Sequence, residues 1–234
     1  MDNMPDLPAP SDTRKEVENA KVHILSLGES SIASIGVDTQ EDGLTGMLAQ
    51  QIEKQYDTMA SYEIVAKSGY TAAMVNDELL SQIQSESADI IMIGLGANDT
   101  FKLSKPKKWR KDLTKMLDFL SKRFKNTPIV FINMPPITEF PVFDRMLKYF
   151  VSKQMLILRN ELQRLIPSYP QVYYIPRKLT AEWFINRYNL KGKRINDFYS
   201  DGVHPSKMTY DMWAREIFDF IQKNVSLQII PNNV

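Results

Sequence analysis

The chain has 234 residues, 43% of them hydrophobic and 24% charged, so it is long enough for one sizeable core and short for two. Its 29 basic and 28 acidic residues leave a net charge of +1, which excludes a strong overall attraction to nucleic acid or acidic membranes and favours a small-molecule partner. Cysteine is absent, which excludes disulfides, thiol nucleophiles and thiolate metal sites. The two histidines, His23 and His204, lack the His-Glu-x-x-His spacing of a zinc site, so we expect neither metal nor cofactor.

Residues 1–20 are polar and contain prolines, without the basic head and apolar run of a signal peptide. No segment reaches the roughly 18 uninterrupted apolar residues that a membrane span requires. We therefore expect a soluble chain with a lead-in (1–20), a single domain (21–224) and a tail (225–234). The cytoplasm is the default location, and the soluble part of a tethered or exported protein is the alternative. The apolar residues 227–231 could dock on the domain or on a neighbour, and the oligomeric state is not predicted.

From residue 21 onward, short apolar runs alternate with longer amphipathic ones, a pattern typical of βα units. Strands are predicted at residues 22–27, 62–66, 88–94, 129–132 and 172–175. Helices are predicted at residues 44–52, 71–83, 106–124, 146–165 and 206–222. Five strands joined by right-handed helical crossovers predict an α/β fold: a three-layer α/β/α sandwich with a mainly parallel, doubly wound, flavodoxin-like sheet.

Polar or glycine-bearing turns follow the first three predicted strands. They are Gly28-Glu29-Ser30, Ser68-Gly69-Tyr70 and Gly96-Ala97-Asn98-Asp99. In a doubly wound sheet, ligands bind beyond the carboxyl ends of the strands, so these three turns should lie on one rim. A fourth turn, Asp201-Gly202-Val203-His204-Pro205, comes directly before the last predicted helix.

The four turns resemble, in order, the four sequence blocks of the SGNH (GDSL-like) hydrolase superfamily, whose members use a serine, a glycine, an asparagine and a histidine. The resemblance spans about residues 21–221, and residues 28–38 are most similar to bacterial members whose first block reads Gly-Glu-Ser. It implies a serine ester hydrolase of the carboxylesterase, lysophospholipase or thioesterase kind, acting through an acyl-enzyme intermediate. The implied catalytic residues are Ser30, Asp201 and His204, and the implied oxyanion-hole residues are Ser30, Gly69 and Asn98.

The chemistry of these residue types agrees with the implied roles. A serine hydroxyl needs a neighbouring base, and His204 is the histidine that the predicted fold puts at the rim. Asp201, three residues earlier on the same turn, can hold the tautomer of the imidazole. By contrast His23 lies inside the first strand and is interpreted as structural.

Each implied residue also has a purely structural alternative. Ser30 could be a helix N-cap, with Ser31 a rival nucleophile, and Gly69 and Asn98 could be ordinary turn residues. His204 could be a surface histidine. Asp99 is expected to brace its loop rather than to catalyse.

The substrate is less well determined by the sequence. The apolar, proline-stiffened loop 134–143 should emerge at the rim, where Phe140 and Phe143 would line an acyl or alcohol pocket unless the loop simply packs over the core. The connection 176–200 could form a second wall or a stabilising helix. Acyl transfer and carbohydrate O-acetyl ester hydrolysis are alternatives for the same site. A binding module without catalysis is a further alternative, for which Glu29, in place of the commoner aspartate, is the only hint.

Overall fold

A computed structural model describes residues 7–226 and contains a mixed sheet between two layers of helices. Within that range the strands are β1 (Arg14–Lys15), β2 (Val22–Gly28), β3 (Ala60–Ala66), β4 (Ile90–Gly94), β5 (Ile129–Phe131) and β6 (Val172–Tyr174). The α-helices are α1 (Leu44–Tyr56), α2 (Ala72–Met74), α3 (Ala97–Phe101), α4 (Pro106–Arg123), α5 (Arg145–Leu165), α6 (Ala181–Tyr188) and α7 (Lys207–Asn224). The apolar segment 227–231, for which docking was expected, lies outside the described residues.

The strand order is β1-β3-β2-β4-β5-β6, and β2 to β6 run parallel in the predicted flavodoxin-like order. The predicted α/β sandwich is therefore confirmed. The sheet has one strand more than the five expected, because residues 14–15 of the lead-in pair antiparallel with β3. Arg14 and Lys15 are both charged, so they carry no apolar pattern that would predict a strand. Charged residues are common on edge strands, where they discourage pairing with other chains.

Two connections contain helical structure of an unexpected kind. The helix predicted over residues 71–83 begins as α2 but continues as a π-helical turn, Val75–Leu79, and a 3₁₀ turn, Leu80–Gln82. The connection 176–200 contains α6, so the helical alternative applies to part of it. None of the helices within residues 7–226 is both long and apolar enough to cross a membrane.

The core lies on both faces of the sheet. All five residues of β4 are buried, as expected for a central parallel strand. On one face α1 and α7 pack together, with Leu48 and Ile217 fully buried between them and the sheet. On the other face α4 packs against α5, and the buried Trp109 donates its indole N–H to the Leu158 carbonyl at 3.0 Å.

The carboxyl ends of the central strands coincide. Gly28, the last residue of β2, is paired with Ala66 of β3 and with Gly94 of β4. The chain leaves β2 toward β3 on one side and later returns to β4 on the other, which makes this the point of strand-order reversal where doubly wound folds bind ligands. Glycine is required here, because a Cβ at Gly28 would lie 2.2 Å from the Gly94 carbonyl oxygen.

Candidate active site

Ser30 lies on a tight turn that starts as β2 ends. The Ile32 and Ala33 N–H groups each donate to the Glu29 carbonyl at 3.0 Å, and the Ile35 N–H donates to the Ser30 carbonyl at 3.1 Å. Ile32 and Ile35 are buried and anchor the turn, whereas Ser30 stays half-exposed. The adjacent Ser31 is buried, with 8% of its surface exposed, which makes it the less accessible of the two hydroxyls.

Asp201 and His204 form a compact hydrogen-bonded turn. Asp201 Oδ2 lies 2.7 Å from His204 Nδ1, and Asp201 Oδ1 accepts the backbone N–H groups of Val203 at 2.9 Å and His204 at 2.7 Å. Because the carboxylate can only accept, the proton of the neutral imidazole is held on Nδ1 and Nε2 is left with a lone pair. The side chains of Asp201 and His204 are only 5% and 15% exposed, so this pair is largely shielded from water.

The same contacts determine the charge state of Asp201. Burial alone would raise its pKa, but the His204 backbone N–H, the imidazole and the Val203 N–H outweigh burial and lower the pKa below its ordinary value. Asp201 is therefore a stable acceptor at neutral pH. It can orient the imidazole and favour the imidazolium that forms when Nε2 takes a proton.

The serine turn and the histidine turn pack directly against each other. Gly36 is so close to the second turn that a Cβ there would lie 2.3 Å from Ser200 Oγ and 2.8 Å from the Pro205 carbonyl oxygen. The buried Tyr210 hydroxyl, from α7, donates to the Ile35 carbonyl at 2.8 Å. Within residues 7–226 the His204 ring bonds to Asp201 and not to Ser30, and nucleophile–base bonds are often loose before substrate binds.

Glu29 connects the serine turn to the asparagine turn. Its Oε1 accepts the Ala97 N–H at 2.9 Å, and its Oε2 accepts the Asn98 N–H at 2.9 Å and the Asn98 side-chain amide at 2.6 Å. The carboxyl group thus caps the start of α3, since Gly96 at the cap position has no side chain to do so. This bond uses one N–H of the Asn98 side-chain amide and holds the amide in one orientation. The second N–H of the same amide is left for a ligand.

Burial raises the pKa of the Glu29 carboxyl from 4.5 to about 7, against the lowering effect of the three N–H donors. Glu29 is buried, with 3% of its surface exposed, so this group is shielded from bulk water. The extra methylene relative to aspartate is accommodated in the turn. Glu29 therefore gives no structural reason to expect an inactive site.

Asp99 braces the third block against the second. Its Oδ2 accepts the Ala72 N–H at 2.9 Å and its Oδ1 accepts the Ser104 hydroxyl at 2.9 Å. This bracing role was expected from the sequence. It connects the start of α2, just after the Gly69 turn, to α3, which carries Asn98.

Gly69 presents an open backbone to the rim. Its φ of +79° lies in the left-handed region, and no atom lies within 4 Å of where a Cβ would be. Its carbonyl accepts the Lys102 ammonium at 2.9 Å, which ties the turn to the end of α3. A substrate could approach the Gly69 N–H closely.

The two predicted pocket phenylalanines occupy different environments. Phe140 is 2% exposed and packs edge-on against Tyr199 at 5.5 Å, in a small apolar cluster with Ile137 and Val151. Phe143 is half-buried and packs edge-on against Phe101 of α3 at 5.4 Å. Both belong to the apolar cluster that includes Val203 of the histidine turn, and Phe143 is the more exposed of the two.

Sequence analysis missed the two contacts that assemble the rim, Glu29 with Asn98 and Gly36 with Ser200. For the first contact a signal was available: Glu29 stands one residue before Ser30, and Gly96 has no side chain to cap α3. Nothing local indicates the second. Within residues 7–226 no group of three or more histidine and carboxylate side chains is arranged to hold a metal ion.

Comparisons with known proteins find solved structures of similar fold. The lipase Lip_vut3 from a goat rumen metagenome is 20% identical, with 84% of this chain and 95% of that chain covered and a TM-score of 0.61. The esterase EstA from Pseudoalteromonas sp. is 20% identical over 86% and 97% of the two chains, with a TM-score of 0.58. A lipase/acylhydrolase from Enterococcus faecalis is 16% identical over 91% and 100%, with a TM-score of 0.61.

At these identities the structural matches establish a shared fold. No curated protein matches the sequence. Residues 26–212 match the GDSL-like Lipase/Acylhydrolase family. This range includes the serine, glycine, asparagine and histidine turns. The similarity to bacterial members with a Gly-Glu-Ser block stays a prediction. Because the family match covers most of the chain, the protein belongs to the GDSL-like lipase/acylhydrolase family, the SGNH hydrolases, and is a hydrolase.

Proposed function

We propose that the chain hydrolyses carboxylic esters through a Ser30–His204–Asp201 triad. The observation that carries the proposal is the Asp201–His204 turn, in which one carboxylate bonds both Nδ1 and the backbone of the same histidine, packed against the turn of Ser30. A surface histidine without a function would not need a buried carboxylate to hold its tautomer. A serine on the adjoining turn gives the free Nε2 a proton to accept.

The reaction proceeds through an acyl-enzyme. Ser30 Oγ attacks the carbonyl carbon of the ester while its proton moves to His204 Nε2, and the carbonyl oxygen becomes an oxyanion. When the tetrahedral intermediate collapses, the bond to the alcohol oxygen breaks and that oxygen takes the proton from Nε2. Water then repeats the sequence: it gives a proton to Nε2, attacks the acyl carbon, and Ser30 leaves with the proton as the free acid departs.

The oxyanion would be stabilised by three donors that the fold orients before substrate binds. They are the N–H of Ser30, the N–H of Gly69 and the side-chain amide of Asn98. Glu29 bonds the Asn98 amide, Lys102 bonds the Gly69 carbonyl, and Asp99 bonds the Ala72 N–H at the start of α2. Removal of one such donor typically lowers turnover by about 10²–10³-fold.

The test compares Ser30→Ala with Ser31→Ala on p-nitrophenyl esters from acetate to laurate. Ser31 is the matched control, because it is the neighbouring hydroxyl on the same turn. Ser30→Ala should lower kcat/KM by about 10⁴–10⁶-fold, whereas Ser31→Ala should stay within about threefold of the parent. Loss of activity in Ser31→Ala with activity retained in Ser30→Ala would contradict the assignment.

A fluorophosphonate probe supplies a second readout that does not require the right ester. The related esterase EstA was solved inhibited by monoethylphosphonate. The probe should label the parent on Ser30 and should not label Ser30→Ala. Labelling of Ser30 without hydrolysis of any ester in the series would favour acyl transfer to an alcohol, because the same covalent intermediate serves that reaction. Neither labelling nor hydrolysis in the folded parent would favour a binding protein.

A further inference from the structure

The outer face of α5 is strongly apolar. Of the nine exposed large hydrophobic side chains among residues 7–226, seven lie on α5 or on the segments that flank it. Met146, Tyr149 and Phe150 are 69%, 59% and 61% exposed. The other four of these seven side chains are Leu103, Val142, Leu156 and Ile157. Such clustering differs from the single exposed apolar residues that are normal on a soluble protein and marks an interaction surface.

Helix α5 and the segment before it lie beside the histidine turn. The opposite, buried side of α5 packs Leu147 and Val151 into the cluster that also contacts Val203, next to His204. Val142, 50% exposed, lies so close to Gly202 that a Cβ there would be 2.7 Å from Val142 Cγ1. A surface bound to α5 would therefore lie beside the entrance to the site.

Basic side chains lie on and beside the same face, although Lys108 and Arg110 pair with Asp112 and Glu161. Residues 102–111 contain six lysines and arginines and no acidic residue, and residues 145–160 contain four and none. The two segments are adjacent, since the Gln154 amide on α5 donates to the Ser104 carbonyl at 2.8 Å. Lys153 lies within the apolar face, with its ammonium 5.5 Å from the centre of the Tyr149 ring. Charged residues are therefore distributed unevenly along the chain, although the net charge is only +1.

We propose that the α5 face docks on an anionic lipid surface, with the helix lying in the plane of the headgroups. Apolar and aromatic side chains would enter the headgroup and acyl boundary, while the lysines and arginines contact lipid phosphates. Lysine stems can lie along apolar surface and keep their charged ends at the headgroups. A second copy of the chain is a poorer occupant, because a twofold contact would place the basic segments against each other.

The experiment measures co-sedimentation with vesicles of phosphatidylcholine alone and of phosphatidylcholine mixed with phosphatidylglycerol. The Ser30→Ala chain is used, so that lipid is not consumed and binding is scored whether or not the proposed hydrolysis is correct. Binding should be detected on the anionic vesicles and should fall at high salt. Tyr149→Ser/Phe150→Ser and Lys105→Glu/Lys107→Glu should each weaken it about tenfold or more.

Matched controls come from the opposite face of the sheet. Met59→Ser/Ile195→Ser removes two apolar side chains of 48% and 46% exposure, and Lys191→Glu/Lys193→Glu reverses two exposed lysines. All replaced residues are exposed, so thermal unfolding should be unchanged in every variant. Absence of binding to anionic vesicles at low salt, or equal losses in test and control variants, would overturn the proposal. So would a dimer that Tyr149→Ser/Phe150→Ser abolishes, which would assign the face to a second copy.

Discussion

The two ends of the sheet each hold a histidine, a carboxylate and serine hydroxyls, but the hydrogen bonds run in a different order. At the carboxyl end, the Asp201 carboxylate contacts the imidazole of His204 directly at 2.7 Å. At the amino end, the two ring nitrogens of His23 contact the hydroxyls of Ser61 at 2.8 Å and Ser85 at 2.7 Å.

At the amino end, the Glu63 carboxylate contacts a serine rather than the imidazole. Glu63 accepts the Ser85 hydroxyl and the backbone N–H groups of Gln84 and Ser85. Ser85 is buried, and both nitrogens of His23 are occupied, so no lone pair is left to accept a proton from a nucleophile. The same residue types thus make a histidine with both nitrogens bonded at one end and a histidine with a free Nε2 at the other. The order of the contacts decides which arrangement forms.

Replacing each histidine by glutamine is the most direct way to break this comparison. His204→Gln removes the side chain that we propose takes the Ser30 proton, so ester hydrolysis should fall by about 10⁴-fold or more. His23→Gln should leave kcat/KM within about threefold. It should instead lower the free energy of unfolding by about 1–3 kcal/mol, since Ser61 and the buried Ser85 each lose a hydrogen-bond partner. Initial rates on one p-nitrophenyl ester and urea unfolding of both variants provide the two measurements.

A crossed result would contradict the assignment of roles. If His23→Gln abolished hydrolysis while remaining folded, the amino-end network would be part of the chemistry. If His204→Gln remained active, His204 would not be the base. A loss of folding in His204→Gln alone would show that the Asp201 turn stabilises the domain more than its contacts suggest.

Much of the fold could be predicted because its signals are local. The run Ile90 to Gly94 is apolar throughout and ends at glycine, as a central parallel strand does, and Pro106 begins α4 as predicted. The edge strand Arg14–Lys15 could not be predicted, since two charged residues have no apolar period and their pairing depends on β3.

The candidate site, like the fold, could be predicted from the sequence only in part. Four turns in the right order indicate which residues to consider, and the rim follows from strand order. The Glu29 to Asn98 bond joins residues 69 positions apart, and the Gly36 to Ser200 approach joins two loops, so neither leaves a periodic signal in the sequence. The catalytic roles of Ser30 and His204 stay predictions.

The contributions of Glu29 and His23 to stability should change with pH in opposite directions, which sharpens the comparison between the two ends. The pKa of Glu29 is raised from 4.5 to about 7 by burial, so its contribution to stability is present below pH 4.5 and is lost as the pH rises through 7. Glu29→Gln does not titrate. The stability of the parent relative to Glu29→Gln should therefore fall by roughly 3 kcal/mol at most between pH 4.5 and 8, measured by urea unfolding at each pH. A difference that is constant or that rises with pH would mean that the three N–H donors outweigh burial.

The amino end should give a smaller effect of the opposite sign. Burial lowers the pKa of His23 below its ordinary 6.5, although Glu63 and Asp89 oppose the shift. Stability from the neutral imidazole is thus present above pH 6.5 and is lost as the pH falls through the lowered pKa. His23→Gln should be less stable than the parent at pH 7.5, and the gap should narrow toward pH 5. If the gap instead widened in acid, the imidazolium would be favoured in the fold, and the carboxylates of Glu63 and Asp89 rather than burial would govern this network.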